Sequence, residues 1–363
     1  MIIDISSDNV TQPTAEMREV MLQAEVLGFG VPEDRIVARL EELAADLTGK
    51  EAAILMPTGT QANLVAILSQ TEPYQEVIVG PDSHIYEQEL GGAGAIAGVM
   101  IKTWANPGIP TVSVLQNTIQ PSYRFPTFAS PKPALVCLEN SHNASGGTVI
   151  SVEKMRELCK VAREAVPKIH LDGARIFNAA ACMQTTVREL SEGADTVMFS
   201  LDKCLSAPFG AMLCGSAETI ARARRFRRML GGYIRKVGIL SAAGLVALEK
   251  MKYRVAEDNI RAASLATRLK AIEGLVVDPY PVPTNLIMIN FRALGVDPQL
   301  FVERLKKEYG ISSHIYGRYM VRFAIHRHIG PKEEDHIASA VEKLVLIMRS
   351  DLELDRKPVR QEQ

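Results

Sequence analysis

The chain has 363 residues, 47% of them apolar and 23% charged, and its 41 Lys and Arg against 42 Asp and Glu leave a formal net charge of −1. That composition belongs to a folded globular chain long enough for two domains and excludes a disordered one. So even a charge balance gives no electrostatic footprint for nucleic acid or an anionic membrane surface.

The opening Met1-Ile-Ile-Asp-Ile-Ser lacks the basic segment and apolar core of a secretory signal. The longest apolar stretch, Val237 to Leu248, is broken by Gly and Ser and then meets Glu249, short of the ~18 residues of a membrane span. Cys137, Cys159, Cys182, Cys204 and Cys214 form no Cys-x-x-Cys pair, which predicts reduced, mostly buried thiols and a cytoplasmic protein. No metal is expected.

In chain order, Glu51-Ala-Ala-Ile-Leu-Met56 reads as a buried strand, closed by the turn Pro57-Thr-Gly-Thr60 and followed by a helix from about Gln61. Glu76–Gly80, Ala134–Leu138, Lys168–Asp172, Thr196–Ser200 and Gly210–Gly215 read as further buried strands of ~5–6 residues. Helical patterns separate most of them, such as Ser151–Ala165, which opens on a capping Ser151 with Glu153 in its first turn. Strand alternating with helix predicts an α/β fold with a mainly parallel sheet covered on both faces. After about residue 250 the pattern changes. Helical stretches Lys252–Ile272, Pro298–Tyr309 and Pro331–Arg349 flank strands at Leu286–Phe291 and His314–Ala324, the pattern of a smaller α+β domain. The expected division is 1–250, 251–350 and a polar tail, 351–363, with little to bury.

Ligands of open α/β sheets bind beyond the carboxyl ends of the strands. The polar residues that follow the predicted strands are Thr58-Gly59-Thr60, His84, Glu139-Asn-Ser-His142, Asp172 with Arg175, and Ser200 with Lys203. Each has a plain structural reading: Lys203 as a solvated loop lysine, Asp172 as a helix cap, His84 as a satisfied core histidine. Each also has a chemical one. A lysine beside a buried cleft can form a Schiff base. A carboxylate at a strand end can keep a pyridine ring protonated and electron-withdrawing, and a Thr-Gly-Thr turn opening a helix can cradle a phosphate. A phosphate cradle, then Asp172, then a lysine 31 residues later, each after its own strand, is the order a fold-type-I pyridoxal-phosphate enzyme would show.

The segments Ser7-Asp-Asn-Val-Thr-Gln-Pro-Thr14, Glu139-Asn-Ser-His-Asn143, His170-Leu-Asp-Gly-Ala-Arg175, Lys203-Cys-Leu-Ser-Ala-Pro208 and Met229-Leu-Gly-Gly232 resemble the threonine aldolase (β-eliminating lyase) family from about residue 2 to about 348. The resemblance implies pyridoxal 5'-phosphate as cofactor and retro-aldol cleavage of a small β-hydroxy-α-amino acid to glycine and an aldehyde. Another pyridoxal reaction on the same scaffold (β-elimination, transamination or racemisation) and a non-catalytic cofactor-binding protein are the alternatives. It matches Lys203 to the lysine that holds the cofactor, Asp172 to the ring-nitrogen partner, and His84 to the histidine stacked on the ring. Thr58, Gly59 and Thr60 match the phosphate loop. Arg175 matches the arginine near the cofactor's phenolic oxygen and the substrate carboxylate, with Ser7 and Arg322 as further carboxylate contacts. His142 matches a contact of the substrate β-hydroxyl, and His142 and Glu89 both remain candidates to handle its proton. Arg235 matches a residue that reaches a neighbouring subunit's cofactor phosphate, implying a homodimer or homotetramer with shared sites. Arg222, Arg224 and Arg225 read as a solvated helix face. Five positions depart from the family pattern: Ser6, Val31, Asp202, Tyr233 and Lys236.

Overall fold

Alternate residues of a strand point to opposite faces of its sheet, so a strand buried on both faces reads as an unbroken apolar run. The computed structural model, which describes residues 2–25, 34–120 and 130–355, places the apolar runs of the sequence in such strands. In chain order the strands are β1 (Ile3–Asp4), β2 (Ala52–Met56), β3 (Glu76–Val79), β4 (Met100–Thr103), β5 (Pro133–Glu139), β6 (Lys168–Asp172) and β7 (Thr196–Ser200). They continue with β8 (Ala211–Gly215), β9 (Val276–Val277), β10 (Leu286–Asn290), β11 (Ile311–Ser312), β12 (His314–Gly317) and β13 (Met320–Ala324). Two compact units contain them: residues 11–256, and residues 1–10 together with 257–363.

The larger unit is built on a seven-stranded sheet of order β2-β8-β7-β6-β5-β3-β4. All neighbours are parallel except β8, which runs antiparallel to both β2 and β7. The segment from β7 to β8 contains no crossover helix, and a parallel return needs a connection of about a dozen residues or more. Both faces are covered. Val136, Leu138, Val197 and Phe199 belong to the apolar cluster on one side, while Leu135, Cys137 and Met198 pack into clusters on the other. Phe199 meets Phe177 edge to face, with ring centroids 5.3 Å apart. The edge strand β4 was not anticipated, because only four partly exposed residues form it.

In the smaller unit β12, β13, β10 and β9 form an antiparallel sheet. The run expected as one strand, His314–Ala324, folds back on itself as the β12–β13 hairpin. Residues 1–10 fall here rather than with the 1–250 segment, because β1 pairs parallel with β11 and Ile5 is fully buried in this unit's apolar core. The last helix runs Pro331–Asp355, so the expected tail begins as helix; residues 356–363 lie outside those described.

Candidate active site

Beyond the carboxyl ends of β3, β5, β6 and β7 lies a cleft lined by Gly59, Asn63, His84, Glu139, Ser141, Asn143, Asp172, Ala174, Arg175, Met198 and Lys203. Five of the sequence candidates, Gly59, His84, Asp172, Arg175 and Lys203, thus share one wall-to-wall space. Each is held there by its own local structure.

Thr58 caps the helix Gly59–Gln70, its side chain accepting from the Gln61 N–H at 3.1 Å. That leaves Gly59 and Thr60 in the first turn, where helix N–H groups lack intrahelical partners and attract anions. A Cβ on Gly59 would stand 2.9 Å from the Met198 methyl, which would have to move aside. Asp172 ends β6 and is buried. Its Oδ1 accepts from the Ala174 N–H at 3.0 Å and its Oδ2 from Asn63 Nδ2 at 2.8 Å. It does not cap the following helix, Ile176–Met183, whose N-cap is Arg175. Gly173 lets the chain turn between the two: its N–H donates to the Met198 carbonyl at 2.9 Å, and a Cβ would sit 2.7 Å from that oxygen.

Lys203 stands on a tight turn after β7, its carbonyl accepting from the Ser206 N–H and from Thr11 Oγ1, both at 2.8 Å. Ser206 adopts φ +63°, the left-handed conformation that closes the turn. Arg175 is buried and donates to Asn143 Oδ1 at 3.2 Å. The Glu139 carboxylate ties two strand ends together by accepting the N–H groups of His84 (2.9 Å) and Asn143 (2.8 Å). Burial pushes Glu139 above the usual carboxylate range.

Glu89 is buried and lies 2.9 Å from His84 Nδ1. Burial pulls the His84 pKa down, but the Glu89 hydrogen bond and the charges of Asp172 and Glu89 outweigh it, and the net shift is upward. Burial raises Glu89 as well, partly offset by its hydrogen bonds with His84 and Asn63. One ligand-capable atom each from His84, Glu89 and Asp172 lies within 4.8 Å of the others.

His142 is elsewhere in character. It is 2% exposed and, like Glu89, is not among the residues lining the cleft; its Nδ1 lies 2.9 Å from Ser145 Oγ and 3.3 Å from the Ser145 nitrogen. Its Nε2 is buried without a hydrogen-bond partner and faces Asp82 Oδ1 at 3.6 Å. Arg235 is exposed, beyond the helix Ala217–Met229. In that helix Arg224 departs from the expected solvated face: it pairs with buried Glu41, which also accepts the Leu55 N–H, so a charge inside needed a partner. Arg222 pairs with Glu72 at the surface. Tyr233 lies against the guanidinium groups of Arg227 and Arg228. Ser7 and Arg322 belong to the smaller unit, where Arg322 donates to the Ser6 carbonyl at 3.1 Å and covers the Tyr316 ring. Ser6 is turned onto Asp4, its hydroxyl 2.6 Å from Oδ1. Val31 lies outside the described residues.

Sequence reading missed Asn63 and His170. The available signal was a lone Asn in the apolar helix run Ala62-Asn-Leu-Val-Ala-Ile67, and a His flanked by Ile and Leu in a buried strand.

The fold is that of the fold-type-I pyridoxal-phosphate enzymes. A solved structure of Leishmania major threonine aldolase matches it with a TM-score of 0.80 over 94% of this chain and 99% of that one, at 19% identity. The chain belongs to the beta-eliminating lyase family, whose sequence profile matches residues 4–293. It is 36% identical over 353 residues to low-specificity L-threonine aldolase 1 of Arabidopsis thaliana, covering 96% of this chain and 97% of the relative. It is 39% identical over 302 residues to the low specificity L-threonine aldolase of Escherichia coli, covering 81% and 87%. The motif resemblance thus extends to whole-chain similarity.

Proposed function

We propose that this protein is a pyridoxal-phosphate-dependent lyase that cleaves threonine-like β-hydroxy-α-amino acids to glycine and an aldehyde. The observation that carries the reading is the buried Asp172 carboxylate, held by Asn63 and facing the same cleft as Lys203, Arg175 and His84. The cleft fits the cofactor. A strand-end carboxylate suits a protonated ring nitrogen, the first turn at Gly59 and Thr60 suits a phosphate, and the buried Ser141 hydroxyl on its wall lacks a partner.

When bound, pyridoxal phosphate supplies an aldehyde for amine condensation and a ring that withdraws electrons from the bond to be broken. Lys203 provides the protein's amine. Asp172 would keep the ring nitrogen protonated, and His84, by the family resemblance, would lie against the ring. Arg175 would bind the substrate carboxylate, orienting the Cα–Cβ bond. Of the two candidates for the β-hydroxyl proton, Glu89 is favoured. Burial makes it a stronger base than an exposed carboxylate. His142 is instead engaged through Nδ1 by Ser145, whose Oγ lies 2.9 Å away.

The working form in this reading is at least a dimer, Arg235 reaching a partner's phosphate, and the enzyme acts in the cytoplasm. Among the described residues no helix is long and apolar enough to cross a membrane. Incubation with threonine, allo-threonine and serine tests the reaction: threonine should yield glycine and acetaldehyde in equal amounts. Ammonia with 2-oxobutanoate, or inversion at Cα alone, would overturn the assignment. An active monomer in sedimentation would refute the shared site.

A further inference from the structure

From behind the cleft a hydrogen-bond chain runs through Gln70, Thr196 and His170, which have no role above, to Asn63 and the two acids. Gln70, in the last turn of the helix Gly59–Gln70, donates from Nε2 to Thr196 Oγ1 at 2.8 Å. Thr196 Oγ1 lies 2.8 Å from His170 Nδ1, and His170 Nε2 lies 2.9 Å from Asn63 Oδ1. Asn63 Nδ2 is 2.8 Å from Glu89 Oε1 and 2.8 Å from Asp172 Oδ2. Thr196, His170 and Asn63 are at most 1% exposed, so water does not substitute for any link.

Ionised carboxylates only accept, so Asn63 must turn its NH₂ toward Glu89 and Asp172 and its oxygen toward His170. His170 Nε2 must then carry a proton. Burial holds the His170 pKa at about 4 against the charge of Asp172, so the ring is neutral near pH 7 and has no second proton to place on Nδ1. That bare Nδ1 takes the Thr196 hydroxyl proton, and the Thr196 oxygen in turn takes the Gln70 N–H. Each of the five contacts along the chain is thereby a donor–acceptor pair running in one direction, while Gln70 Oε1 stays buried without a partner.

We propose that this chain is the positioning device of the cofactor site: Thr196 sets the tautomer of His170, His170 sets the sense of the Asn63 amide, and Asn63 holds the Asp172 carboxylate in place beside Glu89. The inference rests on the pyridoxal reading above. An amide is nearly symmetric in shape, so packing alone does not choose its sense. Reversed, Asn63 would aim an oxygen at two carboxylates, replacing two charge-assisted hydrogen bonds with two repulsions in a buried place. Thr196, Gln70 and His170 touch none of the reacting groups. They act through Asn63.

Thr196→Val keeps the shape and removes the hydroxyl; Thr196→Ser keeps the hydroxyl and removes the methyl. Apoenzyme of each is titrated with pyridoxal phosphate and followed by the visible absorbance of the bound cofactor, with Trp104 fluorescence confirming the fold. Thr196→Val should raise the Kd by about tenfold or more, the scale of a buried hydrogen bond to a charged group, here the Asn63 bond to Asp172 that loses its fixed sense, and Thr196→Ser should stay within about threefold of wild type. Equal Kd values for all three proteins would overturn the relay while leaving the cofactor assignment standing. So would equal weakening by Val and Ser, since packing would then be the cause. Wild-type protein that takes up no pyridoxal phosphate would overturn the functional reading itself. If Thr196→Val does not fold, Asn63→Asp decides: a near-isosteric oxygen facing the two acids should weaken binding by the same factor or more, and unchanged binding would overturn the proposal.

Discussion

The most quantitative consequence of the structure concerns His170 and acid. In the unfolded chain this histidine titrates at the ordinary 6.5; in the fold, where it is fully buried between Thr196 and Asn63, burial takes it to about 4. Between those values the unfolded state binds a proton that the folded state refuses. Stability from this group is therefore complete above about pH 6.5 and is lost as pH falls toward 4. The gap corresponds to about 3 kcal/mol at most, a large share of a typical folding free energy. Nearby acids act in the opposite sense: burial raises Glu89 and Glu139 in the folded state, so they favour folding as they take up protons. A difference measurement removes them. His170→Gln keeps a donor toward Asn63 and does not titrate. Urea unfolding of the apoprotein, read from the fluorescence of Trp104, the single tryptophan and a buried residue of the 11–256 unit, isolates the relevant part of the chain. From pH 7 to pH 4 the wild type should lose about 3 kcal/mol relative to the variant. Parallel pH profiles for the two proteins would refute the reasoning, because His170 would then titrate in the fold as it does in water.

Lys203→Ala should abolish multiple turnover and leave the urea midpoint unchanged, since the half-buried side chain sits on a turn held by backbone contacts; near-wild-type turnover would sink the assignment of the cofactor lysine. Asp172→Asn should still take up the cofactor but slow threonine cleavage at least about 100-fold. Its amide cannot hold the ring proton, and keeping the Ala174 bond would set its NH₂ against that of Asn63. An unaffected rate would reduce Asp172 to a structural residue. Gly173→Ala should destabilise the larger unit by about 1–3 kcal/mol, because the added methyl meets the Met198 carbonyl at 2.7 Å. An unchanged urea midpoint would show that the loop relaxes freely.

What the sequence could determine was whatever leaves a local periodic trace. The strands β6 and β7 carry their apolar residues, Ile169 and Leu171 and then Val197, Met198 and Phe199, between polar ends that mark the sheet edge, and the buried His170 interrupts the first of these runs. The edge is also where function gathers, so Asp172 and Lys203 were legible from their positions just after such runs. β1 left no comparable trace. It is two residues long, and only pairing with β11 at the far end of the chain makes it a strand and moves residues 1–10 into the smaller unit. The β12–β13 hairpin likewise needed its cross-strand partners to show where one run turns back. In the site the same limit falls on Asn63 and His170. Their meaning lies in partners 107 and 109 residues away, and in a burial that depends on both faces of the sheet being covered. Propensity and periodicity are properties of neighbours along the chain; hydrogen-bond direction, tautomer and pKa are set by neighbours in space, and only the folded protein brings those together.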